Sequence, residues 1–541
     1  MNPAGCVRVV LSGLLLIHAA PSFAQSPQLA DKLLLHVAAE GDYRGAPSSQ
    51  PLQVDASRIP LGTGDFTIST WLRADADGSG FSGDLFCQYD AARRRGVHLT
   101  LKTATGVTSC QSNWRHLQFG IDDDRNGSWE KAGRPGNCLL AFALAVHKGE
   151  LYAGTCEPAA GASGRVYRYA GGSNWVDCGA PDKSNSVTCM AVYHDELYVG
   201  TGKYRVAGSS LPESPNMEPG GRIFRLGPDG SWVNCGQLPE TEAVGGLVVF
   251  RDRLYASSLY RPAGFFRMEP GSGAWTSLAV PQTPDDTGVL TNRRVESMHI
   301  AGDHLYAGSY DGGHVYRWDG STWRDLGRLA ENTQTYSFVC HNSRLLVGTW
   351  PSGRVYSHAA DGSWKDEGRL GEELEVMGMQ VHNGRLFAGS LPLGQVYTLE
   401  GPGRWQESAR LDLTPDVKYR RVWTMAEHAG ALFCSTLPSG EVHTYRQGQQ
   451  VTWGHSLPDG WQHVAAVRAA GRLLLYVNGE EVAKSAVPAA SEAPFDLTSA
   501  TAAVIGSGTN GPLGGFVRDF RVHARALGPA EIRGLASEKK P

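Results

Sequence analysis

The chain has 541 residues, 41% of them apolar and 19% charged, with 50 Lys and Arg against 54 Asp and Glu for a net charge of −4. So weak an acidic balance argues against nucleic acid or an anionic membrane surface as the main partner. With 67 Gly, 14 Trp and long gaps between plausible helices, the composition points to β-rich globular domains, and the length suits two to four of them.

The first segment has the three-part layout of a secretory leader. Arg8 supplies the positive charge, Val9 to Ile17 the apolar run, and Ser22 and Ala24 the small residues before Gln25. A signal peptide over 1–24, cleaved near Ala24, is expected. The apolar run is too short to span a bilayer, and no later stretch approaches about 20 apolar residues. A secreted or periplasmic protein follows, with no membrane span and no lipid anchor. Cleavage removes Cys6 and leaves nine of the 10 cysteines, an odd number. No CxxC pair or zinc-type Cys/His spacing occurs. These cysteines are expected mostly as small buried residues with one or two bridges. Cys178 and Cys235 occupy equivalent places in neighbouring repeats and are expected in the same small core position.

The next stretch, 28–123, reads as strands, among them Asp65-Phe-Thr-Ile-Ser-Thr-Trp-Leu72. Arg58-Ile-Pro60 resembles a sialidase tripeptide. It lies outside the repeats described below, and the Asp-to-Trp spacings of Asp319–Trp323 and Asp361–Trp364 are too short for that family, so a sialidase site is not expected. Asp122-Asp-Asp-Arg-Asn-Gly127 looks like a calcium loop but lacks the closing Glu, and reads as a junction turn. Calcium at a sandwich rim stays an open metal expectation; no other cofactor is implied.

Self-comparison is more informative. A strand motif recurs as Leu151-Tyr-Ala-Gly-Thr155, Leu197-Tyr-Val-Gly-Thr201, Leu254-Tyr-Ala-Ser-Ser258, Leu305-Tyr-Ala-Gly-Ser309, Leu345-Leu-Val-Gly-Thr349, Leu386-Phe-Ala-Gly-Ser390 and Leu432-Phe-Cys-Ser-Thr436, at spacings of 40 to 57 residues. A second alternating strand beginning at Gly follows, as in Gly164-Arg-Val-Tyr-Arg-Tyr169. Then comes a strand beginning with Trp: Trp129, Trp175, Trp232, Trp275, Trp323, Trp364 and Trp405. These are the dimensions of propeller blades, and the array is read as kelch-like. The two series are offset, since Trp129 precedes the first motif and the last motif has no Trp strand after it. Circular closure explains the offset: Trp129 completes the blade that holds Leu432, which hides the sheet edges. A seven-bladed propeller over 124–448 is predicted.

Beyond it stand Trp461-Gln-His-Val-Ala-Ala-Val467, Arg472-Leu-Leu-Leu-Tyr-Val-Asn-Gly479 with its Asn-Gly turn, Ile505-Gly506, Gly515 to Val522 and Ala526 to Ile532. This order of motifs resembles the laminin-G-like, or concanavalin-like, hairpin, closing strands and terminal short helix. Asp65–Leu72 resembles an early core strand of the same family. The resemblance covers about a third of the chain and implies a jelly-roll β-sandwich split into 28–123 and 449–537. The expected fold is therefore all-β, a seven-bladed propeller inserted into a laminin-G-like sandwich. Insertion is easy where the ends of the insert lie close together.

No nucleophile elbow, His-Glu-x-x-His helix or phosphate loop occurs. His147, His341, His382 and His428 each stand four residues before the Leu of a repeat, a periodic turn position. His463 belongs to the sandwich hairpin. His299 and His314 break the pattern. By fold analogy, ligand groups are expected in the loops between second and third strands and between blades. The former supply Lys203, Tyr204 and Arg205, then Tyr260 and Arg261, Tyr310 and Asp311, and Trp350. The latter supply Asn185, Arg293, Arg294, Glu296, Tyr336, Glu375, Tyr419, Arg420 and Arg421. Arg offers a fork for a carboxylate or sulfate, and Tyr or Trp a plane for a sugar ring.

Three functions are compatible with this pattern. The first is recognition of an extracellular glycan or polysaccharide by a monomer, through the propeller face, the sandwich or both. The second is a uronate polysaccharide lyase, in which Arg205, Arg261, Arg294 or Arg420 neutralises the carboxylate and Tyr204, Tyr260, Tyr419 or His299 takes the C5 proton. The third is a protein-docking scaffold, which a flat apolar face would favour.

Overall fold

The computed structural model describes residues 31–38, 40–42, 51–74, 83–107, 110–125, 127–271, 273–489 and 491–538. The expected leader, 1–24, lies outside them, as does Asn126 of the acidic turn.

Residues from both ends of the chain build one sandwich. One sheet runs Leu33–Val37, Gly515–His523, Phe66–Ala74, Trp461–Ala469, Arg472–Val477, Glu480–Lys484; the other runs Leu52–Val54, Ala503–Ile505, Gly83–Asp90, Arg95–Ala104, Asn113–Asp123, Gln449–Trp453. Phe66, Phe86, Phe119 and Phe520 fill the space between the sheets with Ile68, Leu99, Val464 and Leu475, all fully buried or nearly so. The short helix Pro529–Ser537 packs Ile532 and Leu535 on the hairpin side. In the second sheet Ile121 pairs with Gln449 and Phe119 with Val451. The chain thus leaves the sandwich on one strand and re-enters on its hydrogen-bonded neighbour, so the two ends of the insert are adjacent.

The insert is the propeller. Five blades are separate four-stranded sheets, and the first two are bridged into one sheet by Cys156 opposite Ser186. The last blade consists of Arg421–His428, Ala431–Leu437, Val442–Tyr445 and, as its outer strand, Trp129–Gly133, with Tyr445 opposite Trp129 and Val442 opposite Gly133. A strand from the start of the insert and three from its end close the ring, as the offset of the repeats requires.

Two repeat positions have clear physical roles. The motif glycine marks close passage of the next blade: a Cβ on Gly348 would lie 2.7 Å from Cβ of Val376, and one on Gly200 2.8 Å from Cβ of Val244. The Trp of each outer strand donates its indole N–H to the preceding blade's outer strand. Trp175 bonds Ala132 O, Trp232 bonds Cys178 O, Trp275 bonds Cys235 O and Trp405 bonds Glu367 O, each at 2.9 Å. Trp364 does the same to Leu326 O at 2.9 Å and Trp323 to Ala279 O at 2.8 Å. Trp129 completes the circuit on Ser408 Oγ at 3.0 Å. Cys178 and Cys235 do share one repeat position, but half-buried on this outer rim rather than in the core. The nine described cysteines are all free thiols, so the one or two expected bridges do not form.

The sandwich covers one end of the propeller. Turns between first and second strands meet it: Gly149 N donates to Gly454 O at 2.8 Å, Asn342 N to Thr509 O at 2.9 Å and Asn383 Nδ2 to Ile121 O at 3.0 Å. The periodic histidines end these first strands, which places them at this junction. The sandwich loop between Arg95–Ala104 and Asn113–Asp123 enters the axial channel. Cys110 Sγ bonds Leu144 O at 2.8 Å, Gln111 N bonds Met190 O at 2.8 Å, and Thr105 Oγ1 meets His299 Nδ1 at 2.8 Å. Val107, fully buried, reaches the apolar cluster of Tyr204, Tyr336 and Trp423.

Candidate functional site

Because the strands are antiparallel, the loops after second strands and between blades lie at the end away from the sandwich. This free face gathers many of the residues singled out in the sequence. The cluster at its axis contains Phe142, Tyr204, Tyr336, Met377 and Trp423, with Tyr260, Tyr310 and Trp350 packed against it and Val107 of the sandwich beneath. Perpendicular ring pairs hold it: Phe142 with Tyr204 at 4.9 Å, Phe142 with Trp423 at 5.0 Å and Tyr310 with Tyr336 at 5.5 Å. Tyr419 meets the Trp350 ring edge-on at 6.3 Å.

Two buried carboxyls stand in this layer. Glu296 accepts from Ser297 Oγ at 2.6 Å, and burial pushes its carboxyl up to about 7. Burial likewise raises Glu375, offset by Arg421, whose Nε lies 3.7 Å away, and by a hydrogen bond from Tyr336. Tyr336 also bonds Gln334 Oε1. Burial raises Tyr204, Tyr260, Tyr310 and Tyr336 above the usual phenol range. Tyr204 OH is engaged by Ser209 Oγ at 2.7 Å, and Tyr260 OH accepts from Arg205 N at 2.9 Å.

The arginines around this layer are already paired. Arg205 bonds Glu242 at 2.5 Å and lies 4.3 Å over the Tyr260 ring. Arg294 forks onto Asp311 at 2.8 and 3.1 Å and lies 5.0 Å from the Tyr310 ring centre, while Arg261 reaches the same Asp311 at 3.1 Å. Lys203 turns back onto Met217 Sδ at 2.7 Å. Such pairs present donors and acceptors side by side, a surface for hydroxyl groups more than an empty fork for an anion.

Three expected site residues stand apart. Arg293 spends its guanidinium on Thr283 Oγ1 at 2.6 Å and Pro284 O at 2.7 Å, pinning the hairpin Gln282–Pro284 and Leu290–Asn292 between the third and fourth blades. Arg420 bonds Thr414 O at 2.6 Å within its own loop. His299 faces the plugging loop, and burial lowers it to about 4. His314 Nδ1 meets the Asp325 carboxylate at 3.0 Å on the outer strands. The expected junction turn is consumed by ion pairs: Asp122 and Asp124 take Arg385 at 3.8 and 2.8 Å, and Asp123 takes Arg125 at 2.8 Å. Among the described residues no group of three or more His, Cys, Asp or Glu could hold a metal.

Sequence reasoning missed Phe142, Trp423 and Val107. Phe142 and Trp423 lie on inner strands whose apolar runs look like ordinary core, and Val107 belongs to another domain. Arg421 and Trp423 are the donors left open in this cluster: Nη1 and Nε1, respectively, are buried without a hydrogen bond among the described residues.

A laminin-G profile, described as the concanavalin A-like lectin/glucanases superfamily, matches residues 429–533. A concanavalin-like domain is present in this chain. The match runs from the last blade's turn through the second half of the sandwich; the first half lies outside it. No curated protein matches the chain in sequence. Among solved structures, a streptogramin B lyase is 9% identical, with a TM-score of 0.46 over 60% of this chain and 98% of its own. The virginiamycin B lyase of Staphylococcus aureus is 9% identical, with a TM-score of 0.45 over 59% and 99%. A xyloglucanase from Xanthomonas campestris is 13% identical, with a TM-score of 0.41 over 63% and 59%. The propeller itself is read from this chain's own strand pairing. No helix of the described residues is long and apolar enough to cross a membrane.

Proposed function

We propose that this is an exported glycan-recognition protein whose free propeller face, read as kelch-like on blade spacing alone, takes an extracellular polysaccharide. One observation carries the reading: loops and inner strands of successive blades bring Tyr204, Tyr260, Tyr310, Tyr336, Trp350 and Trp423 to one axial cluster, ringed by Arg–carboxylate pairs. Sugar rings stack on the half-buried Tyr260, Tyr310 and Trp350, which the buried rings beneath support, while their hydroxyls exchange hydrogen bonds with the paired charges. The sandwich sheet that faces the propeller is covered, which favours the propeller over that sheet as the recognition surface.

The lyase reading narrows to Tyr419. A phenol acting as base must lose its proton readily, and burial opposes this at Tyr204, Tyr260, Tyr310 and Tyr336. Tyr419 is half-buried, with Lys418 Nζ 4.8 Å and the Arg421 guanidinium 5.5 Å from its ring centre.

One experiment addresses both readings. The protein is offered a panel of neutral and acidic polysaccharides while binding and the unsaturated-uronate absorbance are followed. Binding without new absorbance, weakened about tenfold by Trp350→Ala, is the expected result. Product formation that Tyr419→Phe abolishes would replace recognition by a lyase. A panel that neither binds nor reacts would defeat both.

A further inference from the structure

A second constellation stands where the sandwich meets the second and third blades. A cavity of about 500 Å³ opens there, lined from the sandwich by Trp114, Arg115, Trp453, His455 and Asp459. From the propeller it is lined by Tyr193, His194 and Asp252. Each domain contributes a stacked ring pair. Tyr193 lies on His194 at 4.0 Å and 22°, and Trp453 on His455 at 5.5 Å and 19°. His194 and His455 are exposed and Trp453 is half-buried, so part of each pair is open to a ligand.

Arg115 provides an independent observation. It is 8% exposed, yet its Nε and Nη2 make no hydrogen bond among the described residues. Its Nη1 is held by Asp459 Oδ1 at 2.7 Å. A guanidinium stays charged, and its Nε–Nη2 edge is sealed from solvent, so Arg115 acts on the cleft through the Asp459 bond. Leaving that edge unbonded in a buried position is costly. Arg115 also holds a left-handed φ of 54°, costly for a residue with a Cβ, beside the register shift between Lys102 and Ala104.

Charge decides the ligand class. Asp459 pairs with Arg115, Asp195 with Lys148 at 3.3 Å and Asp252 with His194 at 2.8 Å. Arg253 stands beside Tyr193 and Asp252, so three carboxylates face three permanent cations and the cleft has no net charge to draw a polyanion. Flat rings beside an exposed acceptor suit an uncharged ring that carries hydroxyl groups.

We propose that this cleft is a second saccharide site, for neutral sugar rings, formed jointly by the sandwich and the propeller. The apolar face of a ring stacks on the Trp453–His455 pair, and adjacent hydroxyls bond the exposed Asp459 carboxylate that Arg115 Nη1 orients. The sandwich supplies the named contacts, and Tyr193, His194 and Asp252 of the propeller form the facing wall that encloses the cleft. It is separate from the axial face and does not depend on the reading given to that face.

The test uses the full chain and titration calorimetry with cello-, manno-, xylo- and chito-oligosaccharides, and oligogalacturonate as the acidic arm. At least one neutral series binds. Asp459→Asn and His455→Ala, both at exposed positions, each weaken it about tenfold, and Val176→Ala on the outer rim leaves that isotherm unchanged. Absence of neutral binding, binding confined to oligogalacturonate, or an isotherm that responds to Tyr419→Ala on the axial face but to neither cleft variant would overturn the proposal. The two sets of variants keep failure of this site distinct from failure of the axial one.

Discussion

Lys102 and Glu427 form an ion pair at 3.2 Å, 3% and 0% exposed, across the sandwich–propeller junction. Charges so placed are tolerable only when fully bonded. Lys102 also donates to Val381 O at 2.5 Å and Asn510 Oδ1 at 3.2 Å, while Glu427 accepts from Gln118 at 2.9 Å and Gln450 at 3.2 Å and pairs with His382 Nδ1 at 2.7 Å. Burial pushes the Glu427 carboxyl up, but Lys102 and then the His382 bond outweigh it and hold it well below the carboxylate range. A carboxyl lowered on folding stabilises the fold above its unfolded pKa, and that stability is lost as pH falls toward the folded value. Lys102→Met is expected to cost about 3–5 kcal/mol at neutral pH and to flatten the acid limb of stability. Denaturant midpoints of both proteins between pH 7 and pH 3 provide the check; an unchanged midpoint at pH 7 would mean that the pair contributes nothing.

At the scale of elements, the blades are held by a repeated indole-to-carbonyl circuit and by one strand borrowed from the start of the insert. Trp129 serves both. Its ring packs 5.0 Å from Tyr445 and 6.3 Å from Phe387, and its N–H reaches the sixth blade. Trp129→Ala is expected to cost about 3–5 kcal/mol, since it empties a large packed volume. Trp364→Phe, which keeps one aromatic ring but loses part of the indole volume and the bond to Leu326 O, is expected to cost about 1–2 kcal/mol. Guanidinium unfolding distinguishes them; equal costs would refute a special role for the closing strand.

The whole molecule is tied together by strand pairing at the insert's ends, by the loop in the axial channel and by a junction rich in buried histidine. Burial lowers His98, His147, His341 and His428 to about 4 and His116 to about 3. Their unfolded value is near 6.5, so as pH falls the unfolded chain takes up these protons first. Stability should therefore decline from about pH 6.5 toward pH 4, by about 1.4 kcal/mol per pH unit for each histidine so held. Calorimetry from pH 8 to pH 4 should give one transition whose midpoint falls across that window. A flat midpoint, or separate transitions for sandwich and propeller, would contradict a shared buried junction.

The repeats, the offset of Trp129 and the split family motifs made the architecture legible, because blade and sandwich strands carry local alternation and spacing that depend little on distant contacts. The free-face tyrosines could be named for the same reason: loop chemistry recurs at a fixed place in each blade. Burial and pairing were not legible. Whether Arg293 grips a hairpin or a ligand, whether His299 faces the open end or the plug, and whether Arg205 is free or held by Glu242 depend on neighbours distant in sequence. Sequence by itself determined the order of strands and the closing of the ring, both set by periodic hydrophobic burial. Only the tertiary structure decided which end of the propeller is covered, that Val107 of the sandwich forms the floor beneath the axial site, and where Lys102 meets Glu427, because these arise from packing between segments distant in sequence.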